Sequence, residues 1–390
     1  MRKPSDLPPL SFRHKDDLAF HRALQQAANG YLQEKGDHRF ANAKVYLKNT
    51  LLILACFSCY FLMMTSQGGI TFFIGYPLFI FFALLLAINV VHDASHNAVF
   101  RHGWANRWLN FWVTIPLGLD PDCWRVRHIL FHHTHTNIRH YDLDIEENFL
   151  LRQTPYQRWY PFMRWQHLYW PLIAAMTFPA LIWGYDWFDR FHFTRVAPKM
   201  RHQGAKGICL FLLSKVLHLC LALLLPYGFL SPYGIGIGTL LTVYLFSQML
   251  ASLIFVVLIL GTHWAKATFY TAPESGRMAQ GFYTHTFSTT YDWQTMPKWL
   301  TYWLGGLNLH LTHHIFPNWH HRHYPALANI IQQTAAQFDM DYHCVDAKTL
   351  WRYQQLFLKR MGTGEGLYRD GISRIKKPWF LMPRLLSFDN

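Results

Sequence analysis

The chain has 390 residues, of which 51% are hydrophobic and only 15% are charged, and its formal net charge at pH 7 is +14. A soluble globular protein carries roughly 25% charged residues, so this composition argues against a soluble fold. The positive charge suits a protein face that lies near anionic lipid, and it would also attract an acidic partner protein or a phosphate-bearing substrate. We expect no nucleic-acid partner.

Four apolar stretches are long enough to cross a hydrocarbon core of about 30 Å, which takes roughly 20 helical residues. In chain order they cover approximately 49–66, 70–91, 207–227 and 237–260. The two short connections inside these pairs carry no Lys or Arg, whereas the remaining segments carry all of them except Lys215. The positive-inside rule therefore predicts four transmembrane helices in two hairpins, with both chain termini in the cytoplasm.

The sequence thus predicts one all-α integral membrane domain over residues 1–390. Its predicted parts are a cytoplasmic N-terminal region (1–48), a first membrane hairpin (49–91), a cytoplasmic or interfacial segment (92–206), a second membrane hairpin (207–260) and a cytoplasmic C-terminal region (261–390). Two further apolar segments, 108–119 and the proline-interrupted 168–185, are predicted to lie in or dip into the membrane interface, the latter as a helical pair. Lys215 is expected to snorkel towards the nearby cytoplasmic end of its span.

Histidine is concentrated in three clusters, all on the predicted cytoplasmic side. Within each cluster the spacing lets neighbouring turns of one helix present imidazoles to the same metal ion. The clusters are HDASH with His92 and His96, HILFHH with His128, His132 and His133, and HLTHH with His310, His313 and His314. Any one of them alone would also suit a basic, partly solvated helix end. Together they exceed the three or four ligands of a zinc site, and they predict a dinuclear centre.

Imidazole ligands suit iron, copper, zinc or nickel, so the ligand type does not identify the metal. Adjacent rings such as those of His132 and His133 diverge on a helix and therefore suit two ions rather than one. A centre at the mouth of an apolar helical bundle has an aliphatic chain as its expected substrate. Activation of an unreactive C–H bond requires a redox metal and oxygen, and this requirement favours iron.

The three clusters, in this order and topology, resemble the histidine boxes of the membrane fatty acid desaturases. The resemblance extends through RHILFHHTHTNIRHYDLDIEEN and TTYDWQTMPKWLTYWLGGLNLHLTHHIFPNWHHRHYPAL, and GYLQEKGDHRFANAKVYLKN resembles the N-terminal amphipathic helix of the family. It covers roughly residues 17–335 and is greatest for bacterial acyl-CoA or acyl-lipid desaturases of a front-end-like branch.

The resemblance implies four spanning helices, a cytoplasmic helical cap that carries the boxes, and two non-haem irons. Nine histidines would hold these irons, the ninth being His263 in LILGTHWAK; His285 is its rival and is expected near the site rather than on a metal. Oxygen would be the co-substrate, and the product would be a cis double bond in a fatty acyl chain. The third box begins with His310, where the front-end branch usually has Gln, so the position of the double bond stays open.

Several residues beside the boxes could orient the ligating rings, because metal-bound histidines usually pass their other N–H to a carboxylate or carbonyl. These candidates are Asp93, Asp142, Asp144, Asn308 and His285. The two aspartates at 142 and 144 could instead belong to a solvated loop, and Asn308 could contact an iron through water. The remaining nearby histidines are expected on a basic surface or against lipid headgroups, namely His135, His140, His320, His321 and His323.

The expected partners are a fatty acyl substrate, a lipid bilayer and a separate electron donor. The substrate could be acyl-CoA, acyl-carrier protein (acyl-ACP) or an acyl lipid. The sequence shows no His-Pro-Gly-Gly haem motif, so electrons are expected from a ferredoxin or from cytochrome b5 with its reductase. The expected location is a bacterial inner membrane. The alternatives are a hydroxylase or ketolase of the same superfamily, an intramembrane zinc protease built on HDASH, and a metal transporter.

Overall fold

The computed structural model describes residues 7–364, so both chain ends lie outside the described residues. Four helices in this range are long and apolar enough to cross a membrane, as the sequence predicts. They are Ala43–Met64, Ile70–Ser95, Gly204–Tyr233 and Ile237–Trp264. The prediction of a mostly helical protein with four candidate membrane helices is therefore confirmed.

The helices are numbered in chain order. They are α1 (His14–Lys35), α2 (Ala43–Met64), α3 (Ile70–Leu86), α4 (His92–Ser95), α5 (Gly103–Thr114), α6 (Pro121–Arg125), α7 (Gln166–Ala175), α8 (Thr177–Ala180), α9 (Asp186–Arg190), α10 (Gly204–Leu219), α11 (Leu225–Leu230), α12 (Ile237–Trp264), α13 (Phe282–Thr289), α14 (Leu300–Trp303), α15 (His310–Ile315), α16 (Tyr324–Gln337) and α17 (Ala347–Gly362).

Shorter elements connect these helices. π-Helical segments cover Ala87–Val91, Val126–His133, Leu181–Tyr185 and Cys220–Leu224, and 3-10 turns cover Pro161–Trp165, Ala197–Lys199, Ser231–Tyr233 and His321–His323. The strands β1 (Asp292–Gln294) and β2 (Cys344–Asp346) form one parallel pair in the register Asp292 to Cys344. The π-helical segments matter most here, because such segments are frequent at functional sites and change which residues share a helix face.

The first spanning helix begins at Ala43, six residues before the apolar stretch that predicts it. The Asn42 side chain caps this start by accepting a hydrogen bond from the Val45 N–H at 3.1 Å. The first turns are polar, yet they stay helical because Lys48 is buried and donates to Asn89 Oδ1 at 2.8 Å. A hydropathy window misses these turns, since it registers the charge of Lys48 and not its partner on the next span.

The apolar core lies where α2 packs along α3 and α3 packs against α12. Buried side chains such as Phe79, Leu84 and Leu240 fill this core. Large apolar side chains on the outer faces stay exposed, among them Phe61 at 66% and Phe246 at 59%. Exposed apolar surface of this extent is unusual for a soluble monomer and suits contact with lipid.

The predicted helical pair over 168–185 is present. It consists of Pro161–Ala175 and Thr177–Arg190, which meet at a bend of 56° and could count as a fifth span by composition alone. The segment predicted at 108–119 overlaps α5, whose exposed face carries Trp104, Trp108 and Trp112. Tryptophan is the residue type that favours the membrane interface, and its position on α5 fits the predicted interfacial helix.

The expectation that Lys215 snorkels to the membrane surface is wrong. Its side chain is buried, and Nζ donates to Asp186 Oδ2 at 2.7 Å and to the carbonyl oxygens of Gly118 and Ile182. The counterion comes from the bent helical pair, 29 residues earlier in the chain. The lysine therefore stays inside because a partner from another helix compensates its charge.

Replacement of Lys215 with methionine is expected to lower the free energy of unfolding by about 3–5 kcal/mol, because it leaves the Asp186 carboxylate buried without its cation. The double variant Lys215→Met/Asp186→Asn removes both charges and keeps an oxygen that can accept from the Asp120 N–H. It should be clearly more stable than the single variant. Thermal unfolding of the detergent-purified proteins checks this order, and equal losses in both variants would contradict it.

Candidate metal centre

The structure brings the three histidine clusters and His263 into one buried site. Within it are two groups of four histidines, and in each group four ring nitrogens lie within 4.8 Å of one another. The first group is His92, His96, His128 and His313, and the second is His132, His263, His310 and His314. All eight cluster histidines are at most 7% exposed. A basic, solvated helix end is therefore excluded for each cluster.

Four elements carry these rings. The first cluster lies on α4 at the end of the second span, the second on the π-helical segment Val126–His133, and the third on α15. His263 lies at the end of α12. The ends of two spanning helices and two short helices therefore meet at one point, which explains how residues far apart in the chain form a single site.

His128 and His132 belong to different groups, although ordinary helical spacing would place them on one face. Their rings are stacked with centroids 5.9 Å apart, and each ring points to its own group. The π-helical backbone of Val126–His133, with its hydrogen bonds between residues five apart, instead brings His133 over His128, and the Nε2 atoms of these two rings lie 3.2 Å apart.

His133 lies between the two groups. Its Nε2 is 3.2 Å from His128 Nε2 in the first group, and its ring stacks on that of His314 in the second, with centroids 4.1 Å apart. Its Nδ1 is buried and has no hydrogen-bond partner. His133 is therefore placed to serve either group or both of them.

Burial and mutual repulsion keep most of these rings neutral. Burial, followed by the charges of neighbouring rings, holds the pKa well below its usual value for His128, His133, His310, His313 and His314. His132 differs: burial lowers its pKa, but the carboxylates of Asp142 and Asp144 outweigh this effect and raise it to about 9. A set of neutral imidazoles offers lone pairs, which metal ligation requires.

Many of these lone pairs have no protein partner. Buried ring nitrogens without a hydrogen bond are found at His96 Nε2, His133 Nδ1, His263 Nε2, His310 Nδ1 and His314 Nε2. The Nε2 atoms of His92 and His313 face each other at 3.0 Å. Buried polar atoms are normally hydrogen-bonded, so this many orphaned nitrogens around one centre fits cations bound by imidazole.

The opposite nitrogen of several rings is held by a protein group. His132 Nδ1 lies 3.2 Å from Asp142 Oδ1, His263 Nδ1 lies 3.2 Å from the Thr289 carbonyl oxygen, and His313 Nδ1 lies 2.9 Å from the Tyr324 hydroxyl. Such contacts fix the tautomer and the orientation of a ring, and they leave Nε2 free for a metal. Thr289 and Tyr324 carry no recognisable sequence signal for this role.

The expectation that His320, His321 and His323 lie on a basic surface is wrong. All three are buried, and two of them contact Asp93 of the first cluster. Asp93 Oδ2 lies 2.6 Å from His321 Nδ1 and 3.2 Å from His320 Nε2. The second nitrogen of His321 is 2.8 Å from Lys48 Nζ. The sequence could not indicate this, because Lys48 belongs to the first span, 273 residues away.

His323 is buried on the other side of this segment. Its Nδ1 lies 3.1 Å from the Tyr31 hydroxyl and its Nε2 lies 3.0 Å from the His38 carbonyl oxygen. It thereby ties α1 to the segment that follows α15. By contrast, His140 is exposed and His135 is half-buried, in line with their predicted surface positions.

The other candidates beside the boxes divide by environment. Asp142 is fully buried and also accepts from the backbone N–H groups of Asn137 and Asp144, whereas the Asp144 side chain is 56% exposed although its Oδ2 lies 3.3 Å from His132 Nδ1. Asn308 donates to the Trp293 carbonyl oxygen, and its Oδ1 is buried without a partner. Both nitrogens of His285 are engaged, by the Thr136 carbonyl oxygen and by Gln280 Nε2.

Comparisons with known proteins agree with this site. The sequence model of the family described as fatty acid desaturase matches residues 69–346. The chain is 31% identical over 340 residues to the sn-1 linoleoyl-lipid 6-desaturase of Synechocystis sp., a match that covers 83% of this chain and 89% of the relative. It is 25% identical over 372 residues to the acyl-lipid (8-3)-desaturase of Physcomitrium patens, covering 91% and 74% of the two chains. The chain therefore belongs to the fatty acid desaturase family, and it is an oxidoreductase.

Proposed function

We propose that the protein is an oxygen-dependent di-iron desaturase that introduces a cis double bond into a fatty acyl chain. The observation that carries this proposal is the pair of four-histidine groups, each with its ring nitrogens within 4.8 Å of one another. One iron would be held by His92, His96, His128 and His313, and the other by His132, His263, His310 and His314. His133 would complete the set between them.

When bound, the two irons supply the redox chemistry by which one oxygen molecule, two external electrons and two protons, together with two hydrogens from adjacent methylenes, yield an alkene and two waters. The chain holds the rings in place, orients the acyl chain and excludes water. The stack of Trp124 on His128, with centroids 5.1 Å apart at 13°, contributes an apolar wall beside the first group. Phe255 of α12 packs against the same Trp124.

The proposed topology has two membrane hairpins, α2 with α3–α4 and α10–α11 with α12, and a helical cap on the cytoplasmic side that carries the histidine boxes. Both termini would be cytoplasmic, and the membrane would be a bacterial inner membrane. Basic residues in the segments outside the spans support this orientation. The whole described chain would act as a single domain.

The proposed substrate is an acyl lipid, because the relatives are named acyl-lipid and linoleoyl-lipid desaturases. The proposed electron donor is a separate ferredoxin or cytochrome b5 system. An intramembrane zinc protease would need the carboxylate of HDASH as a free general base. Asp93 is instead held by His320 and His321, which speaks against that alternative. A metal transporter would leave the convergence of all nine rings without a purpose.

The decisive experiment compares cells that express the wild-type chain with cells that express His313→Ala, using gas chromatography–mass spectrometry of fatty acid methyl esters and metal analysis of the purified proteins. We expect a new unsaturated ester and about two irons per chain in the wild type, and no new ester and about one iron in the variant. A new hydroxy ester would show that the same centre catalyses hydroxylation instead of desaturation. A single zinc ion in place of the irons would overturn the proposal.

The two carboxylates beside His132 provide a matched pair of variants. Asp142→Asn is expected to weaken iron binding in the second group by about 10–100-fold, because it removes the buried acceptor that orients His132. Asp144→Asn should have a much smaller effect, since that side chain is largely in solvent. Iron retention during dialysis against a graded chelator measures both affinities. A larger loss in Asp144→Asn would reverse the assigned roles.

A further inference from the structure

A cavity of about 410 Å³ lies outside the metal centre, between α5, the start of α6 and the first half of α10. Its volume falls in the usual range of small-molecule sites. Four arginines line it, at positions 107, 125, 190 and 201. No role in metal binding accounts for such a concentration of guanidinium groups.

The acidic residues of this cavity are already engaged. Arg190 donates to Asp120 Oδ2 at 3.1 Å and lies 3.8 Å from Asp122 Oδ2, and Asp122 also accepts from the backbone N–H of Arg201. In the part of the chain that the structure describes, the side chains of Arg107, Arg125 and Arg201 form no ion pair. The lining therefore holds four arginines against two aspartates, a surplus of two positive charges.

These three cations lie close enough to influence one another. Burial, followed by the charges of Arg201 and Arg125, lowers the pKa of Arg107 below its usual value. A protein gains nothing in stability from like charges held together. Their convergence around a cavity is understandable if an anion is bound between them.

The other half of the cavity is apolar and runs along the first half of a candidate membrane helix. Leu210 and Leu213 line it six and nine residues after the start of α10, about 9–14 Å along the helix axis. Trp108 and Trp112 of α5 flank it and are 64% and 49% exposed. The arginines, tryptophans and leucines of the lining thus match the headgroup, interface and acyl regions of a bilayer, in that order.

We propose that this cavity binds the phosphate headgroup of a membrane glycerophospholipid, with its acyl chains along α5 and α10. Arginine is the preferred residue for phosphate because its guanidinium donates two parallel hydrogen bonds. The ligand enters from the membrane, since the cavity continues into the apolar region. This favours a phospholipid over a soluble acyl thioester, which would approach from the water side.

The cavity borders the metal centre. Asn97, which lines it, directly follows His96, and Arg125 lies three residues before His128. A phospholipid held here would present an acyl chain close to the first histidine group. The bound phospholipid would then be the acyl carrier, and this assignment rests on the proposed desaturase function. The binding of the lipid in the cavity does not depend on that function.

The test measures lipid binding to the purified full-length protein by native mass spectrometry. The probes are palmitoyl-oleoyl-phosphatidylglycerol, a galactosyl diacylglycerol with the same acyl chains, and oleoyl-CoA. Arg107→Gln/Arg201→Gln should weaken phosphatidylglycerol binding by at least about 10-fold, since each guanidinium–phosphate pair is a charge-assisted contact. The control Lys44→Gln/Lys298→Gln removes two exposed lysines outside the cavity and should leave binding unchanged.

The results separate the two proposals. Equal phosphatidylglycerol affinity in the wild type and the arginine variant would overturn the cavity assignment, as would equal affinity for the galactolipid. If only oleoyl-CoA binds in an arginine-dependent way, the ligand of the cavity is a soluble thioester and the phospholipid assignment is wrong. The protein could also bind the phospholipid through the arginines and yet contain no iron and form no unsaturated product. This result would support the cavity assignment and overturn the desaturase proposal.

Discussion

Replacement of His96 or of His314 with alanine is expected to leave about one iron per chain instead of two and to reduce desaturation at least about 100-fold. The two histidines belong to different four-histidine groups, and each has a buried Nε2 without a protein partner. Removal of either ring should therefore empty one group and spare most of the other. Iron-to-protein ratios of the purified variants and ester analysis of expressing cells check both effects.

His285→Gln is the matched control for these variants. His285 is also a buried histidine beside the site, but both of its nitrogens contact protein groups, the Thr136 carbonyl oxygen and Gln280. Its replacement should leave both irons in place. If His285→Gln loses as much iron as the group variants, or if those variants keep two irons, the division into two groups is wrong.

The features that could be predicted from sequence are those encoded within one short segment. Hydropathy over about 20 residues is enough to locate a spanning helix, and the structure has its four candidates where the sequence places them. Spacings of three to five residues likewise mark the histidine boxes. His263 has no such local pattern, and only the family resemblance singled it out before the structure placed it beside His132, His310 and His314.

The division of the rings into groups could not be predicted, because it depends on helix geometry that spacing alone does not encode. His128 and His132 share a helix face, yet each belongs to a different group, and the π-helical segment Val126–His133 brings His133 beside His128, where α-helical spacing would turn it away. His310 and His314 share a group while His313, on the same short helix, joins the other. Histidines of one short helix are thus divided between two groups that face each other.

Buried charges were misjudged for a different reason. Lys215, His320 and His321 look like surface residues because isolated charges and basic clusters usually stay in water. Each is buried against a carboxylate from a distant part of the chain, Asp186 or Asp93. Single-sequence analysis evaluates a charge without its partner, so it assigns such residues to the surface.

The second large effect is expected at Asp93. The aspartate is 1% exposed, and its Oδ2 lies 2.6 Å from His321 Nδ1, while His321 Nε2 lies 2.8 Å from Lys48 Nζ. Since Lys48 can only donate, His321 must accept at Nε2 and donate from Nδ1 to Asp93. The imidazole thus connects a buried cation to a buried anion, and the other carboxylate oxygen lies 3.5 Å from His92 Nδ1.

Asp93→Asn is therefore expected to have two separable effects. It leaves Lys48 buried without a full countercharge and should lower the free energy of unfolding by about 3–5 kcal/mol. It also removes the carboxylate beside His92 and should weaken iron binding in the first group by about 10–100-fold. Thermal unfolding measures the first effect, and iron retention against a chelator at low temperature measures the second.

The double variant Lys48→Met/Asp93→Asn distinguishes positioning from stability. It removes the unpaired cation together with the anion, so the unfolding temperature should recover most of the loss, whereas iron binding should stay weak because His92 still lacks its carboxylate. Recovery of both properties would mean that Asp93 acts only as a counterion. Recovery of neither would mean that the Lys48 ammonium is itself required at this site, through its contacts to Asn89 and to the Tyr302 carbonyl oxygen.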